Sequence, residues 1–176
     1  MTAIAVPPSV DHEQAFLAML ADFEAHDPAN AGFYGAARAD FAAYVRELLD
    51  EEAGVNLREN RVPCTHRWLL VPSGEIVGAT RLRHRIDTPF LAANGSHIGY
   101  DVAPSHRGKG YGHAALRVAL DEAASRGMSR LVLFAAEDNV ASRAVIERQG
   151  GQLASITFSE FYQERLCAYW IDRKRP

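Results

Sequence analysis

The segment RGKGYG, residues 107–112, has three glycines in six positions and two cations beside them. Glycine weakens both helices and strands, so this density needs a reason other than regular structure. The preceding residues 96–102, SHIGYDV, predict a strand that ends before Pro104. The residues that follow predict a helix ended by Gly127, because apolar side chains recur there at helical spacing. The glycines are therefore predicted to form a strand-to-helix turn.

The composition of this turn favours an anion-binding site. The first N–H groups of a helix have no internal partner, and the helix dipole places partial positive charge beside them. The glycines would let a pyrophosphate approach these groups, and the two cations would add full charge; the residues concerned are Arg107, Gly108, Lys109, Gly110 and Gly112. The alternative is a tight turn with two solvated cations. A Walker loop does not fit because glycine follows the lysine, and a dinucleotide fingerprint does not fit because the spacing is G-x-G-x-G.

Periodicity along the rest of the chain predicts the order α-α-β-β-β-α-β-α-β-β within one domain, residues 1–176. A first helix is expected to open at Asp11, with Gln14 completing a capping box, and a second runs from Asp40 to a stop at Gly54. The remaining helix is predicted at residues 139–149. The remaining strands are predicted at residues 67–71, 75–85, 130–136, 152–158 and 165–171. The first ten residues and the connections 26–40 and 86–96 are expected to be irregular, because Gly, Pro, Asn and Ala dominate them.

Composition excludes several classes of protein. The 176 residues carry a formal net charge of −3, which gives no global basic field for nucleic acid. No signal peptide is expected, because the first ten residues have no cationic start and no long apolar run, and no apolar run reaches membrane-spanning length; a cytoplasmic protein is expected. Two cysteines cannot form a disulfide framework, and Cys64 with His66 is read as an isolated pair, so no metal site is predicted.

With these elements placed, the sequence resembles the GNAT superfamily of acyl-CoA-dependent N-acyltransferases. The signature Q/R-x-x-G-x-G/A of that family is matched by Arg107, Gly110 and Gly112. The later segment EDNVASRAVIERQGG supplies the family's second motif, with Asn139, Ser142, Glu147 and Gly150. The two motifs are similar to those of the branch that contains ribosomal-protein N-terminal acetyltransferases, and the order of predicted elements agrees with that of the family over residues 10–172.

The resemblance implies a fold and a cofactor site. The fold would be α/β (α+β), with a mixed, mainly antiparallel sheet, one splayed parallel pair of strands and flanking helices. Acetyl-CoA would lie between the splayed strands, with its pyrophosphate on the turn that includes Tyr111 and its pantetheine along Tyr100, Asp101 and Val102. Asn139 would contact the pantetheine, although it is also a natural helix N-cap. An amine would attack the thioester directly, without a metal.

Four side chains are candidates for proton transfer. Tyr100 and His97 lie on the strand that lines the proposed cleft, but strand alternation puts them on opposite faces. His97 has the pKa of a base, whereas a lone strand histidine is more often structural. Many family members carry a tyrosine seven residues after the helix asparagine; that position here is Ile146, which leaves Ser142, Tyr162 or water as the acid.

The expected function is transfer of an acetyl group from acetyl-CoA to a primary amine. The alternative is a non-catalytic acyl-CoA-binding sensor of the same fold. The acceptor would be an amine-bearing small molecule or a protein N-terminus; no nucleic acid or membrane partner is expected, and a homodimer is a further expectation. The basic run RLRHR, residues 81–85, is interpreted as a solvated face, and alternatively as an electropositive rim for an acidic acceptor or for the 3′-phosphate of CoA.

Overall fold

The computed structural model describes residues 2–173. Its seven strands are β1 Ile4–Val6, β2 Cys64–Leu70, β3 Ile76–Arg83, β4 Ile98–Val102, β5 Arg130–Ala136, β6 Gln152–Ser159 and β7 Glu164–Asp172. Its helices are α1 Glu13–His26, α2 Pro28–Ala31, α3 Ala36–Ala39, α4 Phe41–Ala53, α5 Pro89–Asn94, α6 Tyr111–Ser125 and α7 Val140–Arg148, with 3₁₀ turns at Val10–His12 and Pro104–His106.

The strands form two antiparallel sheets, in the orders β1-β2-β3-β4 and β5-β7-β6. They meet beside His97, just before β4, where two hydrogen bonds connect that residue to Val132 in β5. The N–H of His97 donates to the carbonyl oxygen of Val132 at 2.9 Å, and the N–H of Val132 donates to the imidazole Nδ1 at 3.0 Å. No ladder joins β4 to β5 within residues 2–173, so the two strands separate beyond this point. The predicted α/β class with splayed strands and flanking helices is confirmed.

Helices cover the sheets in two packed layers. On one side, α1 and α4 bury an aromatic cluster against β2, in which the rings of Phe16 and Trp68 are 4.5 Å apart between centroids. On the other side, α6 packs Leu116 and Leu120 against both sheets and shares a core with Tyr169 of β7. Each such fully buried side chain contributes about 1.5–3 kcal/mol, which makes these layers the main source of stability.

Most of the predicted elements are confirmed, within a few residues. The hairpin of β2 and β3, the strand β5 and the helices α4, α6 and α7 lie where periodicity places them. Helices end where predicted, at Gly54, Gly127 and Gly150, whose φ angles of +72°, +72° and +90° lie in the left-handed region that favours glycine.

The predicted start of the first helix is wrong. Ser9, not Asp11, is the capping residue: its hydroxyl accepts from the N–H of Asp11 and opens a 3₁₀ turn, after which α1 begins at Glu13. Ser9 satisfies the first turn, so Asp11 is already inside it.

The three segments predicted to be irregular contain regular elements. Asp27 caps α2 and Thr88 caps α5, and each is followed by a proline at the first helical position. A cap residue followed by proline is a helix-start signal that outweighs a Gly- and Ala-rich composition. Near the N-terminus, β1 is a short edge strand that pairs with β2 and has too few residues to show alternation. No helix within residues 2–173 is long and apolar enough to cross a membrane.

Candidate active site

The turn between β4 and α6 has the backbone geometry of an open cradle. Gly108 and Gly110 have φ angles of +74° and +85°, and a β-carbon on either would meet no atom within 4 Å. Gly110 precedes the first helical turn and has no side chain to cap it; the helical ladder begins with Ala114 N–H to the Gly110 carbonyl. Glycine at these two positions permits the left-handed backbone and leaves the space that an anion at the helix N-terminus requires.

The third glycine has a different role. A β-carbon at Gly112 would lie 3.4 Å from Val145 of α7 and 3.8 Å from the ring of Tyr100. Gly112 therefore allows α6, α7 and β4 to pack closely, rather than opening the backbone to a ligand. Tyr111 beside it is buried against α6 and β3.

The two cations of the turn already have partners in the protein. Arg107 donates to the carbonyl of Val102 at 3.1 Å and forms an ion pair with Asp27, whose pKa this arginine and Asn30 hold low. Lys109 donates to the carbonyl of Ser105 at 2.9 Å. Both side chains are fixed beside the turn, and Arg107 connects it to the cap of α2.

Strand β4 offers one edge to the space between the sheets. Its ladder partner on one side is β3, and within residues 2–173 it has none on the other. Asp101 and Tyr100 point to opposite faces. The Asp101 carboxylate accepts from Tyr34 at 2.7 Å and from Arg81 at 2.9 Å, whereas Tyr100 points toward α7.

The hydroxyl groups of Tyr100 and Ser142 lie 2.9 Å apart, which joins β4 to the first turn of α7. Asn139 caps that helix through a 3.0 Å hydrogen bond from the N–H of Ser142 to its side-chain oxygen. Burial raises the pKa of Tyr100, and the hydrogen bond to Ser142 partly offsets this rise. Tyr100 therefore stays protonated at neutral pH and can donate a proton through its own hydroxyl or through Ser142.

Two other candidates lie away from this hydroxyl pair. His97 uses Nδ1 to accept from Val132, so in the neutral ring Nε2 carries the proton and no nitrogen is left to accept another. Burial also lowers the pKa of His97, which favours that neutral form. Ile146 is buried in the core of α7, and Tyr162 lies near the cleft mouth, 46% exposed.

Behind β4, on the face opposite α6, lies a cleft of about 520 Å³. Its walls come from the α2–α4 region, from β2 and β3, from α5 and from the ends of β5 and β7. Gly99 of β4 lines it, so the cleft reaches the strand along which the sheets separate. A β-carbon at Gly99 would lie 3.1 Å from Nη2 of Arg81, so the missing side chain lets that guanidinium lie across the strand to Asp101.

The basic run on β3 is not a solvated face, contrary to our first interpretation. Arg81 and Arg83 line the cleft and are largely buried, while Arg85 beyond the strand is 57% exposed and pairs with Asp87. Sequence alternation could not distinguish these environments because the residues that cover this face belong to other elements, α4, α5 and the ends of β5 and β7.

A cluster beside the cleft was predicted only in part, because the sequence indicated the pair of Cys64 and His66 but not Glu51. Glu51 of α4 joins Cys64 and His66 of β2, and one ligand-type atom from each lies within 4.8 Å of the others. Burial opposes a charged His66, but hydrogen bonds with Cys64 and Glu51 prevail and raise its pKa to about 9. The 2.7 Å separation between His66 Nε2 and the Glu51 carboxylate is that of an ion-paired hydrogen bond, which needs no metal. The absence of a metal stays a prediction.

Splayed strands, a glycine turn at a helix N-terminus and a cleft behind the free strand edge are the features that the resemblance to N-acyltransferases implies. The model of the acetyltransferase (GNAT) family matches residues 13–151, and the chain belongs to that family. The predicted enzyme class, an acyltransferase, is thereby confirmed.

Solved structures support the same assignment at the level of the fold. RimL, a ribosomal L7/L12 alpha-N-protein acetyltransferase in complex with coenzyme A, superposes with a TM-score of 0.73 at 19% identity, covering 100% of this chain and 97% of its own. The Salmonella typhimurium acetyltransferase that modifies the N-terminal serine of L7/L12 gives 0.66 at 16%, covering 99% and 96%. The microcin C7 self-immunity acetyltransferase MccE, in complex with acetyl-CoA and AMP, gives 0.71 at 15%, covering 97% and 92%. The predicted resemblance to the branch with ribosomal-protein acetyltransferases is confirmed. No curated protein sequence matches the chain.

Proposed function

We propose that the protein transfers the acetyl group of acetyl-CoA to a primary amine that enters the 520 Å³ cleft. The observation that carries this proposal is the separation of β4 from β5 directly beside the open turn of Gly108 and Gly110. A ligand with a pyrophosphate and an extended, amide-containing arm fits both features, because the turn accepts the anion and the strand edge offers backbone hydrogen bonds.

The cofactor contacts follow from this placement. Residues 107–112 would hold the pyrophosphate, chiefly through the backbone around Gly110, since Arg107 is shared with Asp27. The pantetheine would run along Tyr100, Asp101 and Val102. Asn139 acts as the cap of α7, and its role toward the cofactor is through the position of that helix.

Acetyl-CoA supplies an activated thioester, and the protein supplies its position and a proton. The hydroxyl pair of Tyr100 and Ser142 is the proposed acid for the departing thiolate, because it lies at the crossing of β4 and α7 and stays protonated at neutral pH. The geometry of His97 supports a structural role instead of the predicted role as base. We assign no base within the cleft; the amine can lose its proton through water.

Thermal denaturation with CoA, acetyl-CoA, ATP and NAD tests the binding part. A ligand of the folded state at 100 times its Kd stabilises by about 2.7 kcal/mol, so acetyl-CoA should raise Tm while ATP and NAD do so much less. Equal shifts from all four would contradict the assignment.

Release of free thiol from acetyl-CoA, measured across a panel of amines, tests transfer. Turnover with at least one amine is expected. Tight acetyl-CoA binding without turnover of any amine would instead support the acyl-CoA sensor. Cytoplasmic location, a homodimer and the lack of a nucleic-acid partner stay predictions.

A further inference from the structure

Among the described residues, the cleft contains one partly buried arginine that has no ion-pair partner, although the charge of Glu51 interacts with it at longer range. Arg83 ends β3, lines the cleft and donates Nη1 to the backbone oxygen of Ser96 at 2.9 Å. Within residues 2–173 no carboxylate oxygen lies within 4.0 Å of its guanidinium. A guanidinium cannot shed its proton at any physiological pH, so this charge persists in the cleft.

The other arginines of the cleft differ from Arg83 in this respect. Arg58 pairs with Glu47 at 2.6 Å, Arg61 approaches Glu51 at 4.0 Å, and Arg81 pairs with Asp101 at 2.9 Å. Among the described side chains, Arg83 is therefore the arginine of the cleft that has no ion-pair partner.

The residues around Arg83 add to the excess of positive charge in the cleft. Four arginines line the cleft, and the carboxylates beside them are three glutamates, the third being Glu164, together with Asp101, which pairs with Arg81. Burial is the main cause that lowers the pKa of Arg83, and the like charges of Arg81 and Arg61 add to it. His66, held largely protonated by Glu51 and Cys64, offsets the negative charge of Glu51. A half-buried unpaired cation is costly, and a bound anion would remove that cost.

We propose that Arg83 binds an anionic group of the acceptor, so that the acetyl acceptor is a small amine that also carries a carboxylate or phosphate. This inference rests on the proposed function and deepens it. Polyamines and alkylamines without an anionic group bring no anion to Arg83, and they are poor substrates on this basis.

The strand geometry sets the distance between the two groups of the acceptor. Arg81 and Arg83 are two residues apart on one face of β3, which corresponds to about 7 Å along the strand. Arg81 lies opposite Gly99, where the proposed thioester path borders the cleft. The amine would lie near Gly99 and the anion near Arg83, a spacing that a short aliphatic skeleton between the two groups can bridge.

The test measures kcat/KM for thiol release with matched acceptor pairs. The carboxylate arm compares glycine, β-alanine and 4-aminobutyrate with alkylamines of equal length, and α-amino acids with their amides. The phosphate arm compares O-phosphoethanolamine with ethanolamine. We expect the anion-bearing member of a pair to be favoured at least tenfold in one arm, which identifies the anion. Neutral amines that match their anionic partners in both arms would overturn the proposal and leave the transfer activity standing.

Variants of two neighbouring arginines assign the preference to a residue. Arg83→Gln should remove the tenfold preference, Arg83→Lys should keep part of it, and Arg85→Gln, at an exposed position, should keep all of it. A rise in KM for acetyl-CoA in Arg83→Gln that disappears with dephospho-acetyl-CoA would overturn the proposal, because Arg83 would then serve the 3′-phosphate of the cofactor.

A binding measurement separates failure of this proposal from failure of the proposed function. If no amine is acetylated, calorimetric titration of CoA-saturated protein with the same amino acids and with O-phosphoethanolamine still tests Arg83. Binding that Arg83→Gln weakens at least tenfold supports the anion subsite without catalysis. No binding, or binding that is equal in Arg83→Gln, overturns it.

Discussion

Gly110 and Gly127, which lie at opposite ends of α6, both have a left-handed backbone conformation. Their φ angles are +85° and +72°, and a β-carbon at either position would meet no atom within 4 Å. A side chain there costs about 1–2 kcal/mol for the left-handed conformation. Only Gly110 adjoins the proposed pyrophosphate site, and the 15-residue helix separates the two by about 22 Å.

Gly110→Asp should abolish CoA binding, because its carboxylate would occupy the place of the anion and repel it. Gly127→Asp is the matched control, with a similar loss of stability and unchanged CoA affinity. Calorimetric Kd values for CoA and melting temperatures of both variants are the measurements. Unchanged CoA affinity in Gly110→Asp would place the phosphate site elsewhere.

The hydroxyl pair gives a second prediction at this scale. Tyr100→Phe and Ser142→Ala should each lower kcat by about ten- to a hundredfold, the lower end of general-acid effects, because a thiol is a tolerable leaving group. KM for acetyl-CoA should change little. The parent rate should rise with pH as the amine loses its proton. An acid must be protonated, so the rate should fall again at alkaline pH, and this fall should be absent from the pH–rate profile of Tyr100→Phe.

The position of a single side chain could be predicted where a local motif determines it, but not where the tertiary fold determines it. The glycines of the turn and the cap Asn139 follow from neighbouring residues, and the structure has them in the expected turn and cap. Arg83 is buried because α5 and the strand ends of the second sheet cover its face, which no local pattern contains.

At the scale of elements, the contact between α4 and β2 depends on the buried pair of Glu51 and His66. The folded pKa of His66, about 9, lies above the ordinary value of 6.5. The folded state therefore binds more protons between these values than the unfolded chain does. The stabilisation is complete below about pH 6.5 and is lost as the pH rises through about 9.

The free energy of unfolding should consequently fall from pH 6.5 to 9, and His66→Gln should flatten that part of the curve. Urea denaturation at a series of pH values measures it. An equal slope in the parent and His66→Gln would mean that His66 is not charged in the folded protein.

Elements with a strong internal pattern were predictable, and short ones were not. The continuous apolar run of β5 and the stripe of α6 are long enough to show their character. The four residues of α2 and the three of β1 are too few for a period to repeat. They form because of capping and strand pairing, which involve residues outside the element.

At the scale of the whole molecule, the two sheets are linked directly through His97 and Val132. His97→Leu should lower stability by about 1–3 kcal/mol, because it leaves the N–H of Val132 without its acceptor. His97→Asn, whose side-chain oxygen can take the place of Nδ1, should restore much of the loss. Denaturant midpoints of the two variants test this, and equal losses would assign the effect to packing alone.

The same junction explains which part of the topology could be predicted. The crossover through α6 follows from the sequence, because sequential elements tend to lie side by side. The order β5-β7-β6 does not follow from it, because the last strand lies between the two before it. The point at which β4 and β5 separate does not follow from it either, since that point depends on one side chain that takes a backbone hydrogen bond.

The placement of the two tryptophans gives each sheet its own optical signal. Trp68 of β2 is enclosed by Phe16 and Phe41 in the first sheet's aromatic cluster. Trp170 of β7 lies in the second sheet beneath the guanidinium of Arg130, 4.4 Å from the ring centroid. Emission from Trp68 should shift to longer wavelength when the first sheet unfolds, and emission from Trp170 when the second does. Trp68→Phe and Trp170→Phe each isolate one signal, so coincident or separate transitions would reveal whether the sheets unfold as one cooperative unit.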